Sequence, residues 1–371
     1  MQAPTISVLP TGTDGVNLYT LANENRMVVK ILNYGGIVQS VSFPDHLGHS
    51  AELTLGFATL SEYLSKNPAP HEGLPTGAGV YFGALIGRFA NRIGGGEFTL
   101  GDETFKVPAN LGTTALHGGT TGFDYKLWTP VTSSDDESVS LQLSYVSEAG
   151  EMGFPGTLSA VATYSLDNEN RLTLRLSATT TADTVVNLTN HMYWNLAGEA
   201  SGTVYDQLLY LNADSYTPVD ANLVPTGAIE PVRGTPFDYT RPTPIGEHIA
   251  GGPRFATLDN EQLLRCQGYD HNFVLNQTSP ASLILAARVL DPSSRRELSV
   301  FTTQPGIQLY SGNFLNGTLV GTNGRAYRQS SGFALETQHF PDAPNRPDFP
   351  STILRPGENF LETSVYQLAH A

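Results

Sequence analysis

Between residues 139 and 145 every second residue is apolar: Val139, Leu141, Leu143 and Tyr145. Leu172, Leu174 and Leu176 repeat the pattern against Thr173, Arg175 and Ser177. A strand turns successive side chains to opposite faces, and a helix cannot produce a period of two. One covered and one wet face describes antiparallel sheet. Residues 27–32, 37–43 and 53–57 read as further strands, the first two closed by residues 33–36 and by Pro44-Asp45. Residues 300–314 read as strand, a Gln304-Pro305-Gly306 turn, and strand again. The 37 glycines and 24 prolines supply many turns. Residues 58–79 form a Pro- and Gly-rich connection, and residues 200–260 are turn-rich without a long helix. A chain of 371 residues has ample length for a large buried core. All-β domains of this size can run as one unit. The expectation is an all-β fold over residues 1–371 as a single domain.

The net charge of −15 and a pI near 4.9 would repel nucleic acid and anionic membrane surfaces, so neither is expected as a partner. Phosphorylated substrates are mildly disfavoured for the same reason. The lone cysteine, Cys266, allows neither an intramolecular disulfide nor a Cys-based metal site, and a buried apolar role is expected for it. No stretch is long and apolar enough to span a bilayer. No basic segment precedes an apolar run at the N-terminus. A cytoplasmic location is the default, and an exported protein whose signal has been removed is the alternative.

Several stretches carry possible chemistry. Residues 331–342 read as a short strand running into a Pro-broken loop, with Phe333 and Leu335 on one face and Glu336 and Gln338 on the other. Glu336 is either a solvent-facing strand residue or a carboxylate held rigidly for catalysis. In residues 187–196, read as a strand, one face carries Asn187, Thr189, His191, Tyr193 and Asn195, lining a polar cleft or facing solvent. Arg88 and Arg92 interrupt an apolar run; each either pairs with a buried carboxylate or grips a ligand's oxygens. His117 stands before Gly118 and Gly119, either as a turn residue or where a ligand approaches the backbone. Asp270 and His271 are adjacent, but no second histidine at ligand spacing supports a metal site there. Gln308 and Tyr310 share a strand face. The glycines at 87 and 94–96 lack the Lys-Ser/Thr pair or helical pattern of a phosphate loop or dinucleotide fingerprint.

Taken in order, residues 87–93, 116–119, 187–196, 268–273, 302–314 and 331–356 resemble the aldose 1-epimerases, the galactose mutarotase family. The resemblance runs along nearly the whole chain. It implies a large antiparallel β-sandwich, the galactose mutarotase-like supersandwich, with an open active-site cleft on a sheet face. It implies interconversion of the α and β anomers of free aldoses such as glucose and galactose, with no metal and no organic cofactor. Glu336 falls on the family's general base, His191 on its general acid and His117 on a second active-site histidine. Asn91, Arg92, Asp270 and Gln308 fall on its sugar-binding groups. Against typical members, the loop before Gly83 is longer, and residues 68–79 are expected to border the cleft. Met192 and Trp194 stand where many members have a smaller residue and Phe, a departure expected to bear on sugar preference.

Three other readings remain open at this level. A hexose-6-phosphate 1-epimerase would need cations at the rim, for which Arg88 and Arg346 are the candidates. A non-catalytic carbohydrate-binding protein would lack Glu336 or His191. A glycoside hydrolase or lyase would need a second carboxylate opposite Glu336, for which Asp270 is the candidate.

Overall fold

The computed structural model describes residues 2–67, 79–249, 260–279 and 281–371. Three antiparallel sheets carry the architecture. The largest has nine strands, in the order Thr129–Ser134, Ser138–Ser147, Leu158–Asp167, Arg171–Thr180, Phe360–His370, Arg296–Thr302, Ile284–Leu290, Leu208–Leu211 and Thr243–Pro244. A six-stranded sheet runs Tyr193–Trp194, Phe333–Gln338, Gly306–Tyr310, Asp270–Leu275, Ala213–Thr217 and Glu230–Pro231. A five-stranded meander at the N-terminus runs from Thr5–Pro10 to Ser50–Glu52.

The period-two runs do what their pattern requires. Val139, Leu141, Leu143, Leu172 and Leu174 are fully buried, and their polar neighbours face outward. Between the strands bearing them, Tyr164 stands opposite both Leu141 and Leu174. One continuous apolar cluster joins these residues to Leu21, Val29 and Ile31 of the meander and to Phe273, Ile307, Leu309, Phe333 and Leu335 of the six-stranded sheet. The core therefore lies between the nine-stranded sheet and the other two, as in a β-sandwich.

Residues 53–57 are buried but form no strand of their own; only Thr54 bridges, to Trp194. The connection after residue 57 opens with a helix, Leu60–Lys66, whose Thr59 side chain caps the Glu62 amide while Glu62 reaches back to Thr59. That reciprocal capping box can be read in the sequence as Thr-x-x-Glu. Residues 68–78 of the expected cleft-bordering loop lie outside the described residues. A second short helix, Glu261–Cys266, is capped by Asn260 and buries Cys266. Among the described residues no helix is long and apolar enough to cross a membrane.

Arg88 follows neither of its two expected uses. Its guanidinium is buried and donates to the carbonyls of Ser147, Glu148, Pro155 and Gly156 and to the Ser147 and Thr184 hydroxyls. It ties the loop after the Ser138–Ser147 strand to the Arg88 segment. Burial lowers its pKa to about 10. Arg88→Met should orphan several buried acceptors at once. Each orphaned group costs about 1–3 kcal/mol, so a loss of roughly 3 kcal/mol or more is expected. A denaturant midpoint near wild type for Arg88→Met would contradict this.

Candidate active site

The six-stranded sheet presents its second face to a recess of about 580 Å3, counting its open mouth. In the Phe333–Gln338 strand, Phe333 and Leu335 pack into the core, and Glu336 and Gln338 point the other way. Both faces are buried, so the outer-strand reading of Glu336 fails: it is 2% exposed. Strand register then sets its neighbours. Glu336 stands opposite Gln308, Gln308 opposite Asn272, and Tyr310 opposite Asp270. Directly opposed and diagonal side chains on one face are close enough to bond. Accordingly Gln308 Nε2 donates to Asp270 Oδ1 at 2.7 Å.

His191 arrives from a second segment. Residues 187–196 do not form one strand. Thr189–Asn190 pairs with Leu85–Ile86, Tyr193–Trp194 pairs with the Glu336 strand, and His191 lies between them. Its backbone is pinned by His191 N to Ala84 O and by Gly83 N to His191 O, both 2.9 Å. The polar face read from alternation holds as a set of buried residues, and the solvated alternative does not. The His191 ring stacks on Tyr193 with centroids 4.9 Å apart. Its Nε2 lies 3.6 Å from Glu336 Oε1. His191 Nδ1 and Glu336 Oε2 are buried without a protein partner. Met192 and Trp194, expected to bear on sugar preference, instead lie in the core on the opposite face.

The third wall comes from residues 91–92 and 116–117. Arg92 and Leu116 pair across a short antiparallel bridge. Arg92 Nη2 donates to Asp270 Oδ2 at 2.9 Å, and both side chains are almost wholly buried. Burial alone would lower the Arg92 pKa, but the Asp270 charge and hydrogen bond outweigh it and hold the guanidinium more firmly protonated. Asn91 uses its Oδ1 to accept from Arg92 N and Nη1. His117 accepts the Asn91 N–H at Nδ1, 3.1 Å away, and its ring meets His191 edge-on at 5.2 Å. The glycine after it serves packing rather than ligand approach: a Cβ on Gly118 would sit 2.1 Å from the Gly87 carbonyl oxygen.

Six of the seven expected residues thus line one recess: Asn91, Arg92, His117, His191, Asp270 and Glu336. Gln308 stands behind Asp270 and is not part of the lining. Sequence reasoning missed the apolar share of the wall, chiefly Tyr81, Leu116, Phe314 and Leu315. His271 faces away, with Nε2 3.2 Å from Gln262 Oε1. His117, His191 and Glu336 bring one ligand-type atom each to within 4.8 Å of one another. Two imidazoles and a carboxylate suit a transition metal, but the Asn91 N–H on His117 Nδ1 places that ring's proton on the nitrogen a metal would need.

The aldose 1-epimerase family model matches residues 17–367. The chain belongs to the aldose 1-epimerase family. It is 42% identical to galactose mutarotase of Sus scrofa over 358 residues, 96% of this chain and 95% of that one. It is 35% identical to aldose 1-epimerase of Escherichia coli K12, over 94% of each. A crystal structure of an aldose epimerase homologue from C. elegans superposes with a TM-score of 0.81 at 30% identity, over 96% of this chain and 99% of that one. Membership in the aldose 1-epimerases accords with the all-β sandwich described above.

Desolvation sets the protonation of the central pair. Burial raises the Glu336 carboxyl well above the usual range, Asp270 raises it further, and Arg92 partly opposes both. Burial lowers His191 to about 4. Burial thus favours the uncharged form of each group, the protonated carboxyl of Glu336 and the neutral imidazole of His191.

Proposed function

We propose that residues 1–371 form a single-domain aldose 1-epimerase in which Glu336 and His191 share one proton and pass it through the sugar. The observation that carries this reading is the 3.6 Å approach of His191 Nε2 to Glu336 Oε1, with an unpartnered polar atom on each, in a recess they share with Arg92, His117 and Asp270. Ring opening needs one group to take the proton of the C1 hydroxyl and another to protonate O5 as the C1–O5 bond breaks. The aldehyde rotates about C1–C2, and closure reverses both transfers. A pair holding one proton can begin with either member as the acid. The expected assignment, Glu336 as base and His191 as acid, applies once the proton has crossed to His191; Arg92, which favours the Glu336 carboxylate, assists that crossing. Arg92 Nε is buried without a protein partner. Asp270 holds Arg92, Gln308 holds Asp270, and Asn91 holds both Arg92 and His117.

The rival readings find little support. Arg88 is sealed among carbonyls, and Arg346 is paired to Asp342 at 2.9 Å, so neither offers a free guanidinium for a 6-phosphate. Both Asp270 oxygens are engaged, which does not suit a second hydrolytic carboxylate. The direct test is polarimetry on freshly dissolved α-glucose, α-galactose and glucose 6-phosphate, with the spontaneous rate subtracted. Acceleration on the free sugars, and little on the phosphate, is the expected result. No acceleration on any free aldose refutes the reading.

The shared proton predicts a pH profile. Activity should hold across neutral pH. It should fall on the acid side as His191 gains a second proton for the pair near pH 4, and on the alkaline side as Glu336 loses the only one. Such limbs report macroscopic values of the pair. A kcat/KM profile that rises steadily through the alkaline range would contradict the one-proton pair.

A further inference from the structure

We propose that His117 serves this reaction as a permanently neutral hydrogen-bond donor, its proton fixed on Nε2 by the backbone amide of Asn91. The proposal deepens the epimerase reading and rests on it. His117 and Asn91 are bonded reciprocally: Asn91 N donates to His117 Nδ1 at 3.1 Å, and His117 N donates to Asn91 O at 3.0 Å. Both are non-glycine residues in the left-handed region, at φ 53° and 65°. Non-glycine residues there are uncommon and carry a backbone cost, so the surrounding structure must hold them. The adjoining bridge between Leu116 and Arg92 does so. The ring is wedged edge-on against Tyr81 at 4.7 Å and against His191 at 5.2 Å, so it cannot turn over freely.

A ring nitrogen that accepts an N–H carries no proton of its own. In a neutral imidazole the proton must then be on Nε2. In an imidazolium, Nδ1–H would confront the Asn91 N–H, so the charged form loses this bond. The charged or titratable groups around the ring are Arg92, His191, Glu336 and Asp270, with the phenols of Tyr81, Tyr193 and Tyr310, all of which share its recess. Arg92 and His191 both act with burial to hold it neutral.

The two histidines of the recess are therefore wired differently. His191 has an unpartnered Nδ1 and an Nε2 facing Glu336, so it can gain and lose a proton. His117 has one nitrogen committed to the backbone and the other left for the recess. A fixed neutral donor suits a sugar oxygen that gains negative charge as C1–O5 breaks or as the carbonyl forms. Donors aimed where charge develops need no reorganisation during the reaction.

The test compares His117→Gln with His117→Asn. The Gln amide nitrogen can reach the position of Nε2, whereas the Asn amide reaches only that of Nδ1. His117→Gln should keep kcat within about tenfold of wild type, and His117→Asn should lose about 10²–10³-fold, the effect of removing one such donor. Nitrogen-15 NMR of the wild-type ring should show Nε2 protonated and Nδ1 bare throughout the neutral range. Equal, large losses in both variants while Glu336→Gln is also inactive would overturn the donor role and leave the acid–base pair standing. A proton found on Nδ1 would overturn it whatever the variants do, including a His117→Gln that fails to fold. Should Glu336→Gln remain active, the assignment of Glu336 to the acid–base pair fails, and the NMR result alone then decides the state of His117.

Discussion

Glu336→Gln should lower the turnover of free aldoses by about 10²–10⁴-fold, the usual contribution of a positioned acid–base group, while sugar affinity stays near wild type. Gln keeps the shape of a side chain buried on the Phe333–Gln338 strand, so the register with Gln308 should survive. Burial favours the uncharged form of the Glu336 carboxyl, and the Gln amide is uncharged too, so stability should be maintained. His191→Asn should lose activity on a similar scale, since its ring is the other half of the pair. Because one proton serves both groups, the double variant should be little worse than the worse single one; members of one catalytic unit are not additive. Polarimetric initial rates, with the uncatalysed rate subtracted, and calorimetric sugar affinity separate the two effects. Near wild-type turnover in folded Glu336→Gln would place the acid–base chemistry elsewhere. Multiplying losses in the double variant would show that the two groups act independently.

What could be read in advance follows from how local each signal is. The alternation at Val139, Leu141 and Leu143 predicts its own burial because a strand's two faces are set by neighbours two residues apart. The same logic put Glu336 and His191 on polar faces. It could not tell a polar face buried against a recess from one in water, because covering elements come from distant segments: Leu85–Ile86 over Thr189–Asn190, and the residue 91–117 wall over both. The resemblance to a family supplied that step. The resemblance groups Gln308 with sugar-binding residues, yet its diagonal position to Asp270 is a matter of register between two strands. Arg88 and Arg92 look alike in sequence, four residues apart in one apolar run. One meets only carbonyls and hydroxyls, the other a carboxylate, and that difference lies in their partners. The aromatic wall of Tyr81, Tyr193, Tyr310 and Phe314 is likewise assembled from separate segments. The Thr59–Glu62 capping box was local and legible, and was obscured by the Pro and Gly residues that follow it.

Asp270→Asn should cost the fold about 3–5 kcal/mol, the range for removing one partner of a buried ion pair. The Arg92 and Asp270 side chains are only 5% and 8% exposed, so water cannot take over the guanidinium. The remaining partners of Arg92 do not carry the charge: Asn91 Oδ1 accepts from Nη1, and Nε is already without a partner. Asp270 also orders Gln308, whose Nε2 would lose its carboxylate acceptor. Sugar affinity should fall along with stability, since a guanidinium no longer held by Asp270 loses the aim of its donors. Adding Arg92→Met to Asp270→Asn separates the two losses. With no buried charge left, most of the stability should return, as buried pairs often tolerate apolar replacement. Sugar binding should not return, because the donors are gone. Denaturant midpoints and calorimetric affinities for the wild type, the single variant and the double variant complete the comparison. If Asp270→Asn alone is as stable as wild type, the Arg92 charge finds compensation elsewhere in the recess. If the double variant regains affinity as well as stability, Arg92 does not hold the sugar.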